Sequence, residues 1–379
     1  MNKHKTKTVE KDLGNYHNIF KTINSSTYSF NDWFTQFKNR IKNFQKINHI
    51  LNLTLEEQRG CLHSKFKFAV TPYILSLMDK NSENCPIRRQ FIPTINEIKV
   101  LPEELTQKEE QNSEYPYGVI NKHSNSITIF LTDQCASYCR FCSWRNFVGK
   151  TETYLNHGEF GLVIKYIKEH PEITNVILSG GDPLTLSDEK LDFYLSQLRK
   201  IQTISVIQIE TRVPILLPHR ITQKLCDVLK KYKPIFINVM FNHPKEINEF
   251  TVYACSLLIN NGLVINSNTV LLRGINDKLQ ILAELFNKLL SLNIRPYQLL
   301  QCDISEGISH FRTPLSVGLK LIKQLRGLTS DLAIPNFVVN LTSINKIVVS
   351  PQVIVSKNKN NVILKDYEDK IFVYPEVKY

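Results

Sequence analysis

Cys135-Ala136-Ser137-Tyr138-Cys139-Arg140-Phe141-Cys142 puts three thiols on one short stretch, while Cys61, Cys85, Cys226, Cys255 and Cys302 are scattered along the chain. Three thiolates this close can hold three irons of a [4Fe–4S] cube, because a single loop can wrap one cluster at this spacing. The fourth iron is then left without a protein ligand, and an open coordination site is where a cluster does chemistry. The other readings of such a motif are zinc and coincidence. Structural zinc usually takes four Cys or His ligands in two pairs, and no second CxxC or HxxxH lies near this loop. The spacing favours an iron–sulfur site.

A second stretch with chemical potential is Ser179-Gly180-Gly181-Asp182. Paired glycines allow backbone groups to approach a ligand closely, and an ordinary tight turn is the plainer alternative. The elements around both motifs explain why they could meet. From residue 126 short apolar runs alternate with helical windows: strands are expected over 127–131, 176–178, 205–209, 235–240, 264–272 and 296–302. Helices are expected between them over 155–169, 188–201, 221–232, 248–261 and 278–292. The second of these carries Leu191, Tyr194, Leu195 and Leu198 at helical spacing, with Ser187 as its N-cap. Such βα alternation implies a parallel sheet with right-handed crossovers. The fold class is α/β, and because six units are fewer than the eight of a closed barrel, a partial barrel or an open sheet fits. The cysteine loop follows the first strand and the Gly-Gly stretch ends the second.

Three regions follow from this rhythm. Residues 1–125 read as helices and loops, with a helix over 32–41, a capping box at Thr54–Glu57 and a helix start at Thr71-Pro72. The segment 101–125 is polar and loop-like. Residues 126–310 hold the βα series. Residues 311–379 hold a helix over 315–332 and a small sheet built from 337–341, 347–349, 353–355, 362–364 and 371–374.

The composition excludes several classes of function. The chain has 379 residues, 42% of them hydrophobic, with 47 basic and 35 acidic side chains and a net charge of +12. No apolar run approaches the ~18–20 residues that span a bilayer, so no membrane partner is expected. The start is basic but has no apolar core, which argues against secretion and for a cytoplasmic protein. The positive charge is dispersed rather than gathered on one face, and Lys230-Lys231-Tyr232-Lys233 reads as a single helix end. Nucleic acid is not an expected partner.

With these residues in view, the chain resembles the radical S-adenosylmethionine (SAM) superfamily, whose CxxxCxxC loop follows the first strand of a βα series. The resemblance narrows to the lysine 2,3-aminomutase family. It is carried by Pro86-Ile87-Arg88-Arg89-Gln90, Leu178-Ser179-Gly180-Gly181-Asp182-Pro183-Leu184, Phe241-Asn242-His243-Pro244, Thr269-Val270-Leu271-Leu272-Arg273-Gly274-Ile275-Asn276-Asp277 and His310-Phe311-Arg312-Thr313-Pro314. It implies a partial (β/α)6 barrel in which Cys135, Cys139 and Cys142 bind the cluster and Ser179, Gly180, Gly181 and Asp182 serve SAM. His243 and Asn268 match positions near SAM. The implied activity is reductive cleavage of SAM to a 5′-deoxyadenosyl radical, which takes hydrogen from an amino-acid-like substrate. In the family this leads to 1,2-amino migration, an isomerase reaction. The resemblance also implies an electron donor such as flavodoxin or ferredoxin, and a homo-oligomer.

The sequence departs from that family at the second cofactor, pyridoxal phosphate. Lys346 stands where the family has its Schiff-base lysine, but Thr342-Ser343-Ile344-Asn345 replaces a run of glycines. Ser126 stands in place of an arginine for the cofactor phosphate, and Leu300 in place of a tyrosine. Substoichiometric pyridoxal phosphate at best is the expectation. The substrate side differs as well. Asp303 matches a carboxylate for the substrate's distal amine, but its companion is Asn340, and Trp144 replaces an arginine for the substrate carboxylate, with Arg145 beside it. A radical SAM enzyme working without pyridoxal phosphate is therefore the alternative to an aminomutase. A non-catalytic basic iron–sulfur protein is the more remote one.

Overall fold

The computed structural model describes residues 32–105, 115–123, 125–341 and 346–377. Nine strands form one sheet in the order of the chain. They are β1 (Val119–His123), β2 (Ser126–Thr132), β3 (Asn175–Gly180), β4 (Val206–Thr211), β5 (Ile235–Met240), β6 (Val264–Leu271), β7 (Arg295–Gln301), β8 (Asn336–Asn340) and β9 (Lys346–Val348). The strands from β2 to β8 are parallel, and antiparallel β1 and β9 close the two edges. Successive parallel strands lie side by side, so each crossover helix packs on the same outer face and the sheet curls into a half-barrel.

Local sequence explains the crossovers. Asn156 and Glu159 form a capping box that starts the helix His157–Glu169. The expected N-cap Ser187 accepts from the Lys190 amide at the head of Asp188–Arg199, whose Leu191, Tyr194, Leu195 and Leu198 are all buried. Each such side chain contributes about 1.5–3 kcal/mol by leaving water. Thr54 with Glu57, and Thr71 with Pro72, also start helices as their chemistry dictates. On β3 buried Val176 and Leu178 face these helices, while Ile177 and Ser179 alternate to the concave side.

Three expectations change. Residues 119–123, read as loop, form the edge strand β1. Segments 337–341 and 347–349 were assigned to a separate C-terminal sheet, but they extend the main sheet as β8 and β9. Phe337, Val338 and Val339 are buried there, and the helix Leu315–Leu325 reaches Phe337 at Gly318. Only β10 (Ile354–Lys357), β11 (Asn361–Lys365) and β12 (Ile371–Pro375) make the small antiparallel sheet. A three-residue apolar run carries no signal of which sheet it will join. The loop 342–345 lies outside the described residues. Among those described, no helix is long and apolar enough to cross a membrane.

Candidate active site

The three clustered cysteines follow the C-terminal end of β2, and the N-terminal helices hold their loop. Arg40 donates to the Cys135 carbonyl at 2.5 Å, and the Tyr138 and Arg140 amides donate to the carbonyls of Ala69 and Gln90 at 3.0 and 2.8 Å. The Arg140 side chain points away from the thiols, binding Glu97 through Nε at 2.8 Å and Nη2 at 2.5 Å. Glu97 also takes Arg145 at 2.5 Å, and all three side chains are buried. Burial alone would raise the Glu97 pKa, but the two guanidiniums hold it below the usual range. One carboxylate from the N-terminal layer thus ties down the C-terminal half of the thiol-bearing loop and the residues just after it.

The thiols open into a cleft of about 210 Å³ at the C-terminal ends of the strands. Ser179, Gly180, Gly181, Asp182, Asn268, Asp303 and Lys346 line the same cleft, so ten of the eleven expected site residues meet there. The exception is His243. Its Nδ1 accepts from the Lys245 amide at 3.1 Å, and burial pushes its pKa down to about 4.

Gly180 has φ 109°, and a Cβ on it would strike the Thr132 carbonyl. A Cβ on Gly181 would strike the Gln134 carbonyl. Close approach is thus made first to the backbone that leads into Cys135. The Gly181 and Asp182 amides donate to those same two carbonyls at 2.6 and 2.7 Å. The buried Asp182 carboxylate accepts from the Leu184 amide at 3.1 Å, the Thr211 hydroxyl at 2.7 Å and the Arg212 amide at 2.7 Å. Asp182 therefore joins β3 to the end of β4.

Arg212 is the principal site residue that the motifs did not reveal. Its Nη1 donates to the Cys139 sulfur at 2.8 Å, its Nη2 meets Gln90 at 2.9 Å and Glu246 at 3.0 Å, and its Nε meets the Met240 carbonyl at 3.1 Å. Burial pushes the Cys139 thiol up while Arg212 pulls it down, and burial drives Cys135 well above its ordinary range. Thiolates here would need a bound metal to form them. Glu210 was also missed. It accepts from Asn238 at 3.0 Å and Asn268 at 3.3 Å and lines the cleft. Its place at the end of a barrel strand, where functional residues collect, was the available signal.

At the far side Asn340 donates to the Asp303 carboxylate at 2.9 Å and pairs across the β8–β9 ladder with Lys346. Trp144 stands edge-on to Phe130, ring centroids 4.6 Å apart, and Leu300 lines the wall. Arg145 is directed out of the cleft, toward Glu97 and the Glu306 and Gly307 carbonyls. Ser126 is buried at the start of β2 and accepts from Asn175 at 3.2 Å.

The donor set suits a cluster better than a single ion. Among the described residues no three His, Cys, Asp or Glu side chains are grouped to hold one metal ion. Three thiols serving three separate irons need no such convergence.

Comparison with known proteins agrees. A family model described as the radical SAM superfamily matches residues 129–286, and one described as lysine-2,3-aminomutase matches residues 322–379. The chain is 39% identical to an L-lysine 2,3-aminomutase of Fusobacterium nucleatum, over 93% of this chain and 84% of that one. It is 38% identical to an L-lysine 2,3-aminomutase of Clostridium subterminale, over 94% and 86%. It is 34% identical to a glutamate 2,3-aminomutase of Clostridioides difficile, over 93% and 84%.

Proposed function

The chain belongs to the lysine 2,3-aminomutase family of radical SAM enzymes, and from that premise we propose that it takes hydrogen from an amino-acid-like substrate in the cleft between β2 and β9. The observation that carries this reading is that two sets of groups line one cavity: the thiols of Cys135, Cys139 and Cys142, and the Ser179–Asp182 stretch. When bound, a [4Fe–4S] cluster and SAM supply a 5′-deoxyadenosyl radical, formed with methionine when one electron breaks a carbon–sulfur bond. Everything else is positioning by this chain.

Cys135, Cys139 and Cys142 hold three irons and leave one open. Arg212 fixes the Cys139 sulfur and, through its own amide, the Asp182 carboxylate, so the metal-binding and SAM-binding walls share one guanidinium-bearing residue. Gly180 and Gly181 let the SAM wall press on the cysteine loop. Asp303, oriented by Asn340, accepts donors of the substrate. The apolar side chains of Trp144, Leu300, Val270 and Val148 line the same space, and such walls restrict water around a reactive radical. The electron comes from a small carrier of the flavodoxin or ferredoxin type.

The test is anaerobic reconstitution followed by chemical reduction. One [4Fe–4S] cluster per chain and conversion of SAM to 5′-deoxyadenosine are expected. A protein that binds iron fully and leaves SAM intact under reduction would overturn the reading.

A further inference from the structure

The cofactor that the family attaches at the position of Lys346 does not fit the walls of this cleft. A phosphate monoester is held by positive charge and by N–H or O–H donors. Only Arg212 and Lys346 bring cationic side chains to the lining among the described residues. All the Arg212 side-chain nitrogens already have partners: the Cys139 sulfur, Gln90, Glu246 and the Met240 carbonyl. Ser126, at the position of the expected phosphate cation, is the first rung of an amide ladder. Asn175 donates to Ser126 at 3.2 Å, Gln208 to Asn175 at 3.1 Å, Asn238 to Gln208 at 2.8 Å and Asn266 to Asn238 at 3.2 Å. Each rung directs an amide N–H toward its neighbour rather than toward a ligand.

Three other amides line the cleft, and their orientation follows from their partners. An NH2 group facing a carboxylate or carbonyl must be the donor. Asn268 donates to Glu210, Gln301 to the Thr313 carbonyl and Asn340 to Asp303. Their side-chain oxygens are therefore the atoms left over, and each is buried without a partner. Glu210 and Asp303 put two carboxylates on the same lining, which repel a phosphate dianion and attract a cationic donor.

We propose that this cleft excludes a phosphate-bearing cofactor and instead takes an ammonium-bearing substrate against the Glu210 and Asp303 carboxylates, with Lys346 forming no Schiff base. The proposal rests on the radical SAM reading above and assigns the ligand class of its substrate side.

The experiment uses the reconstituted, SAM-loaded protein with its cluster kept oxidised, so that binding is read without turnover. Pyridoxal phosphate and phosphate-free pyridoxal are titrated in parallel, followed by borohydride trapping and peptide mapping. Pyridoxal phosphate should bind no tighter than pyridoxal, and Lys346 should remain unmodified. In a site holding phosphate by even one charge-assisted bond, the ester would win by about tenfold or more. Calorimetry with L-lysinamide and L-glutamate should favour the cationic ligand by about tenfold, the scale of one charge-assisted bond, and Asp303→Asn should remove that preference with SAM binding unchanged. A stoichiometric pyridoxyl adduct on Lys346, a tenfold advantage for the phosphate ester, or tighter binding of glutamate would each overturn the proposal. Failure to bind SAM would count against the radical SAM reading instead, since these titrations are read only on SAM-loaded protein.

Discussion

The guanidinium of Arg212, just past the end of β4, reaches the sulfur of Cys139 at 2.8 Å, 73 residues away along the chain. An N–H···S bond and a nearby positive charge both favour the reduced form of an iron–sulfur cluster. Arg212→Gln should therefore keep its iron but lower the cluster's reduction potential. Glu246→Gln, which removes the anion opposing Arg212 at 3.0 Å, should shift it upward. An EPR-monitored redox titration reads both signs, and unchanged potentials would show that the contact is only structural.

Replacing Cys135, Cys139 or Cys142 singly by Ala should abolish both the cluster and SAM cleavage. Three thiolates are the minimum that leaves a single open iron. Iron content and 5′-deoxyadenosine yield are the measurements. Full SAM cleavage in any one variant would remove that cysteine from the site.

Asp182→Ala strips the Leu184 amide, the Thr211 hydroxyl and the Arg212 amide of a shared acceptor. Each buried donor left unpaired costs about 1–3 kcal/mol. SAM affinity should fall with iron content unchanged, because the residue belongs to β3 and β4 rather than to the cysteine loop. Loss of iron would mean that the Asp182 carboxylate chiefly supports the cysteine loop through Arg212, which bonds the Cys139 sulfur.

Glu97 is the shared anion of Arg140 and Arg145. Removing one member of a buried ion pair usually costs about 3–5 kcal/mol, so Glu97→Gln should lower the urea midpoint markedly. The folded pKa of Glu97 lies below its ordinary value. Its contribution is therefore present above the unfolded pKa and is lost as pH falls through the folded one. The gap between wild type and Glu97→Gln should narrow on acidification, and a constant gap would disprove the ionic role.

His219, His243 and His310 are each pushed down to about 4 by burial. In the unfolded chain they titrate near about 6.5. The unfolded state then binds more protons between those values, so stability should fall as pH drops from about 6.5 to about 4. Urea midpoints across that range check the sign. A flat profile would show that these rings find solvent in the folded protein.

Much of the architecture and the chemistry was legible in local pattern. The spacing of Cys135, Cys139 and Cys142 announced metal chemistry, and the βα rhythm from residue 126 announced a parallel sheet. The caps at Ser187, Thr54 and Thr71 marked where helices begin. These signals are short-range: a cap acts over three residues, and a helical or strand period shows within one element.

Only the folded chain decided which groups became partners. Arg212 found Cys139, Glu97 gathered Arg140 and Arg145, and 337–341 joined the barrel instead of the small sheet, none of which has a local signature. Nor could sequence alone turn the amides of Asn268, Gln301 and Asn340. Which end of an amide is bonded depends on the acceptor that packing brings to its nitrogen, and those acceptors come from other strands and loops of the chain. The thiols and the scaffold follow from spacing along the chain. The charge and polarity of the cavity follow from burial, which removes water and obliges each polar atom to bond to whatever the fold has placed beside it.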